Sequence, residues 1–225
     1  QVLHYLKQYA PAEVAAAESA YVDMSKIDNA GMSYAPAKSV AEQAGAVLRA
    51  FDSKRATMEK ASSPAAWRDA RQVAAVAYQA CAMRIPGAPE SYRDEMMAKN
   101  VEWLADEVFP NEKIVLWAHN LHVSFGGSTG RKRMGTWLKD RFGRKMYVIG
   151  FAFHRGQLRV RGQTNGRLMD LALHDVPPAP GGSGDAVLSA AGMPLFFLDV
   201  STVPADSRLG RWLAESHLHY KPGAS

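Results

Sequence analysis

The chain has 225 residues, a formal charge of +5 at pH 7, and a composition that is 47% hydrophobic and 22% charged. These values describe an ordinary globular chain with room for one sizeable core. No apolar run approaches the roughly 18 residues that a membrane-crossing helix requires, and one cysteine, Cys81, excludes an intrachain disulfide. Membrane and disulfide-scaffold classes are thereby set aside.

The opening residues Gln1-Val2-Leu3-His4-Tyr5-Leu6 lack the basic flank and long apolar stretch of a signal peptide. They read as the middle of a longer sequence, and the compartment stays open between the cytoplasm and an exported location. Helices are expected through the first ninety residues. Pro11 suits a first helical turn, and alanine-rich sequence runs on to about Met24. A second helix is expected from Ser39 to about Lys60. Ser63-Pro64 supplies an N-cap and a first-turn proline for a third, running to about Met83. Cys81 lies among Val73, Ala75, Val76, Ala80 and Met83, which suits a buried structural thiol. Pro86-Gly87-Ala88-Pro89 ends that run.

Ser91 then caps another helix, with Asp94 three residues on in position to reach back as a capping box. Met97, Val101, Leu104 and Val108 form its apolar stripe. Arg93 and Asn100, two turns apart, share a neighbouring polar face. Beyond residue 108 the pattern changes. Lys113-Ile114-Val115-Leu116-Trp117-Ala118 reads as a strand buried on both faces. A Gly/Ser loop, a helix from about Lys132 to Arg141 and a strand over Met146–Phe151 follow. Gln157–Arg161 is expected to pair with that strand by turning at Arg155-Gly156. The stretch from Val176 to Asp185 reads as a loop, Leu195–Asp199 as a further strand, and Arg208–Ala214 as a short helix. The expected fold is therefore α/β: a small mixed, mostly parallel sheet wrapped by helices, in a single domain with a helical part (1–90) and an α/β part (91–225). Two or three strands are few for so many helices, so the sheet is expected to be incomplete.

The densest chemistry is Trp117-Ala118-His119-Asn120-Leu121-His122, at the C-terminal end of the first predicted strand, where open α/β sheets place ligands. Histidine exchanges protons near neutral pH, and Asn120 can orient a ring or donate to an oxyanion. The same stretch is open to other readings. His119 and His122 could share a metal, although no third ligand and no HExxH pattern accompany them. Gly126-Gly127-Ser128-Thr129-Gly130 matches G-x-S-x-G, with Asp175 and His217 or His219 in triad order, but its serine is far from a strand end. A plain connecting loop is the remaining reading. His154, His174, His217 and His219 read as surface or structural. The basic residues Arg131-Lys132-Arg133, Arg141, Arg144 and Lys145 flank one helix without interleaved aromatics, which suits a solvated face better than nucleic acid.

Residues 92–103, Tyr-Arg-Asp-Glu-Met-Met-Ala-Lys-Asn-Val-Glu-Trp, followed by Lys113-Ile-Val-Leu-Trp-Ala-His-Asn-Leu-His-Val123, resemble the erythromycin esterase family. That family pairs an R-D-x-x-M-A-x-N helix with a strand ending in W-A-H-N-x-H. Met134-Gly135-x-x-Leu138, Tyr147-x-x-Gly150-Phe151 and Leu198-Asp199 continue the likeness in order. The resemblance implies hydrolysis of a macrolide lactone or similar ester by histidine-activated water, without a covalent serine intermediate, organic cofactor or metal. It makes His119 and His122 catalytic residues, with Arg93, Asn100 and Asn120 binding substrate or supporting the site. The expected partner is a small ester or lactone, with neither nucleic acid nor membrane. The family's further histidine, in a G-E-x-x-H-like segment, and an acidic residue on a following strand lie upstream of the matching region, and this sequence contains neither. The chain is therefore expected to be a portion of the fold, inactive alone, with the other half supplied as a separate segment or a longer chain. A noncatalytic domain using the basic face for an anionic partner, and a Ser128 hydrolase, are the alternative readings.

Overall fold

Local sequence signals become helices wherever a cap or a small-residue face supports them. The computed structural model describes residues 1–27, 36–125, 131–164, 167–215 and 217. Among these, α1 (Val2–Tyr9), α2 (Val14–Ile27), α3 (Ala37–Ser53), α4 (Arg55–Ala61) and α5 (Pro64–Ala82) fill the first part. Ser63 caps α5 as its sequence predicts: its Oγ accepts the Ala66 N–H at 3.1 Å. The expected helix from Ser39 to Lys60 is two helices, α3 and α4, parted at Lys54. Pro11–Glu13 forms a separate 3₁₀ turn ahead of α2.

Two apolar clusters hold these helices. One joins Leu6, Phe51, Met58, Trp67 and Ala74, and Phe51 is completely buried. Two of its aromatic side chains also hydrogen-bond to the backbone: Trp67 Nε1–H donates to the Phe51 carbonyl at 3.1 Å, and the Tyr5 hydroxyl to the Met58 carbonyl at 3.2 Å. The other cluster packs Ala37, Val40, Ala41 and Ala44 of α3 against Cys81 and Ala82 of α5. These small side chains let two helices approach closely, and Cys81 is the fully buried thiol expected from its neighbours.

α6 (Tyr92–Trp103) continues into a π-helical turn at Leu104–Val108, and α8 (Met134–Phe142) packs on it. Ala98, Met134 and Leu138 form a third core cluster, flanked by Met97 and Val101 of the anticipated stripe. Between them lies a single helical turn, α7 (Asn120–Val123), where a loop was expected.

The chain divides into two compact units, Gln1–Val148 and Ile149–Ser225. In the second unit β1 (Gly156–Thr164) pairs antiparallel with β2 (Arg167–Val176), from Gly156 opposite Val176 to Thr164 opposite Arg167. The register shifts between Arg161 and Gln163. Two short helices follow, α9 (Gly184–Ser189) and α10 (Arg208–Leu213), each N-capped by a serine hydroxyl, Ser183 and Ser207. The buried Asp185 carboxylate accepts the Phe153 N–H at 3.2 Å.

The α/β class stands, but the mostly parallel sheet does not: the sheet among the described residues has two antiparallel strands. Segments 113–118, 146–151 and 195–199, read as strands, lie outside helix and sheet. Val115 is 92% exposed, Trp117 83% and Leu195 90%. A strand buried on both faces needs neighbours on both edges, and an apolar sequence does not provide them. Gln157–Arg161 pairs instead with the segment that follows it, Leu171–Asp175 of β2. No helix among the described residues is long and apolar enough to cross a membrane.

Truncation of the buried ring in Phe51→Ala should cost about 3–5 kcal/mol, and loss of the cap in Ser63→Ala about 1 kcal/mol. Urea unfolding followed by circular dichroism measures both, and an effect of equal size would contradict the packing described.

Candidate functional site

The chain enters the site through His119, whose backbone is extended at φ −61° and ψ 144°. Its Nδ1 accepts the Leu121 N–H at 3.1 Å, so the imidazole caps the one-turn helix α7 where a serine or aspartate usually would. The His119 carbonyl accepts the His122 N–H at 2.9 Å, closing the turn. His119 remains exposed, whereas the His122 side chain is 18% exposed.

His122 turns inward onto Asp94 of α6. The His122 Nδ1 to Asp94 Oδ1 distance is 2.7 Å, and the aspartate side chain is only 3% exposed. The same Oδ1 accepts the Met134 N–H at 3.0 Å, and Oδ2 lies 3.5 Å from an Arg133 guanidinium nitrogen. Met134 opens α8, so Asp94 satisfies an orphan N–H there and places its negative charge at the positive end of that helix. One carboxylate thus fastens the histidine turn and the start of α8 to α6. Gly135 permits the approach: a Cβ there would fall 2.1 Å from the Val123 carbonyl oxygen.

Asp94 carries a correction. Its expected capping box on its own helix is absent: Ser91 makes no side-chain cap bond and has helical dihedrals. Asp94 caps α8 across space instead. The sequence did contain the signal, since Asp94 is in phase with Met97, Ala98 and Val101 on the apolar face rather than the solvated one. An aspartate on a core stripe requires donors from another element.

The other candidates occupy distinct places. Arg93 is exposed, one residue from Asp94. Asn100 lies two turns further and joins α6 to α5: its Nδ2–H donates to Gln79 Oε1 at 2.9 Å, and its Oδ1 accepts from Gln72 Nε2 at 2.8 Å. Asn120 is half-buried at the start of α7. Residues 126–130, with Ser128, and also His219, lie outside the described residues. Asp175 accepts from Gln157 Nε2 across the hairpin at 2.7 Å, and His217 stacks on Trp212 with ring centroids 3.9 Å apart. No group of three or more His, Cys, Asp or Glu side chains is arranged to hold a metal among the described residues.

The basic residues flanking α8 are largely engaged locally. Arg131 pairs with Glu90, Lys132 lies 3.7 Å from Asp140, and Arg141 lies 3.1 Å from Asp106.

The paired elements that meet at Asp94 and His122 are the two motifs of the resemblance, and comparison of the whole sequence with protein families bears on it directly. The erythromycin esterase family model matches residues 1–225. The chain belongs to the erythromycin esterase family. It is also 31% identical over 115 residues to a Bacillus subtilis (strain 168) protein named "Putative hydrolase YbfO", a match covering 48% of this chain and 25% of that protein. No solved structure gives a significant match. The chain therefore matches about a quarter of the length of that curated relative.

Gly135→Ala should force α7 and α8 apart and raise amide exchange at Val123 and Met134, read by hydrogen-exchange mass spectrometry. Exchange unchanged at both would contradict the close approach. Asn100→Ala, which leaves Gln72 and Gln79 without their partner, should lower stability by about 1–2 kcal/mol without changing exchange in α7.

Proposed function

We propose that this chain carries part of the active site of an ester hydrolase that opens a macrolide lactone, or an ester of comparable bulk, by histidine-activated water. His119 and His122 are the catalytic residues of this reading. The observation that carries it is the 2.7 Å contact between His122 and buried Asp94, which brings the two family motifs into one constellation. A histidine backed by a carboxylate is equipped to take a proton and to carry the resulting charge, and attack by water then needs no serine nucleophile.

Arg93 is the proposed substrate-facing cation, because it is exposed one residue from Asp94 and can meet an ester oxygen. Asn100 supports the site at one remove by fixing α6 on α5. Asn120 is proposed to assist at the start of α7. Ester hydrolysis consumes only water, so this reading calls for no organic cofactor. The exposed apolar segments 113–118, 146–151 and 195–199 supply the other half of the proposal. Their side chains suit strands of a larger sheet, with partner strands supplied by further polypeptide of the same family fold, in the same or a separate chain.

The test is hydrolysis of erythromycin, followed by mass spectrometry as the gain of one water. It is run on these 225 residues and on a polypeptide extended upstream. Hydrolysis is expected in the extended form and should fall about 10²–10⁴-fold in His119→Ala or His122→Ala. Hydrolysis that survives both substitutions would overturn the histidine reading.

A further inference from the structure

We infer that the two histidines are locked in opposite tautomers, which divides their labour: His122 presents a proton acceptor at Nε2 and His119 a proton donor at Nε2. The inference rests on the hydrolase reading for its chemical meaning, but the tautomers follow from hydrogen bonding alone.

An ionised carboxylate only accepts hydrogen bonds. The Asp94 carboxylate is buried, meets the Met134 N–H and stands at ion-pair distance from Arg133, all surroundings that suit its charged form. At 2.7 Å the His122 Nδ1 must therefore be the donor. A neutral imidazole protonated at Nδ1 has its lone pair at Nε2. His119 is the reverse case. The Leu121 backbone N–H only donates, so His119 Nδ1 must accept at 3.1 Å and carry no proton. Its single proton then resides on Nε2. The one-turn helix α7 thus sets two imidazoles three residues apart in complementary states, one fixed by a carboxylate and the other by a backbone amide.

In ester hydrolysis these states have distinct uses. Nε2 of His122 removes a proton from water while the water oxygen bonds to the ester carbon. The carbonyl π electrons move to oxygen, where the Nε2–H of His119 donates to the oxyanion. The electron pair then returns, the carbon–oxygen bond to the leaving group breaks, and the alkoxide takes the proton from His122. The products are one carboxylic acid and one alcohol, and both histidines regain their starting states. Asp94 is a positioning residue throughout: it touches neither water nor ester, but it sets which His122 nitrogen is free and faces the imidazolium formed midway.

The experiment is long-range ¹H–¹⁵N correlation spectroscopy of the ¹⁵N-labelled 225-residue chain at a pH where its histidines are neutral. Assignments come from His119→Gln and His122→Gln. The expected spectrum has His119 protonated at Nε2 and His122 at Nδ1. Two histidines in the same tautomer, or the reverse pair, would overturn the inference whatever the protein hydrolyses. In Asp94→Ala the His122 signal should move toward the Nε2-protonated form while His119 stays unchanged. A merely structural aspartate would leave both signals where they were, and the wild-type spectrum decides if that variant does not fold. In the ester-hydrolysing form, His119→Gln keeps an amide donor and should retain at least about tenfold more kcat/KM than His122→Gln, which loses the base. The opposite order would overturn the division of roles. The expected tautomers in a protein that never hydrolyses an ester would overturn only the function reading.

Discussion

An ionised carboxylate is stable inside a protein only where donors replace the water it has lost, and the junction of α6, α7 and α8 is organised around one such group. Desolvating a carboxylate costs several kcal/mol even after the protein relaxes. Asp94 offsets that cost with His122 Nδ1, the Met134 N–H and the Arg133 guanidinium. The donors arrive from α7 and from the start of α8, so satisfying the charge fixes the positions of both relative to α6. The apolar contacts of Ala98, Met134 and Leu138 then pack directly behind the polar junction. Non-directional burial brings α8 to α6, and the directional bonds choose its orientation.

This arrangement also explains why a histidine turn can be so short. Four residues form no stable helix on their own, because nucleation fixes several dihedrals before any bond is gained. Here His119 caps the turn at one end and Asp94 holds His122 at the other. The Gly135 backbone closes against the Val123 carbonyl, where any side chain would collide. The turn is held by its surroundings, which keeps both imidazoles oriented without a longer element.

Much of the helical architecture was legible because its signals are local. Ser63-Pro64 names a helix start by chemistry that acts within three residues, and the small side chains facing Cys81 mark a close helix contact. The histidine cluster was legible for the same reason: chemically distinctive residues sit close together after an apolar run. Asp94 was misread because a local interpretation, the capping box, was available and sufficient. Its actual partners lie 28 and 40 residues away. Only its phase on the apolar stripe betrayed that it faced inward. Asn100 shows a milder form of the same limit, since its position on a polar face is visible in sequence but its bonds to Gln72 and Gln79 are not.

The sheet was the least legible part, and the reason lies in what a strand is. A helix completes its backbone hydrogen bonds within its own segment, so its sequence can specify it almost alone. A strand must find its donors and acceptors on another segment. The run Ile114-Val115-Leu116-Trp117 encodes a preference for burial on two faces, yet it cannot encode the neighbours that would bury it. β1 and β2 pair because each finds its neighbour next in the chain. The apolar segments ahead of His119 and at 146–151 and 195–199 lie outside helix and sheet among the described residues. Val115 and Trp117 are exposed immediately before the histidine turn, so what packs on this segment is a matter for the site as well as the fold. A neighbouring strand on this segment would restrict the backbone that leads directly into His119, coupling completion of the sheet to the placement of the exposed imidazole while His122 stays fixed from α6.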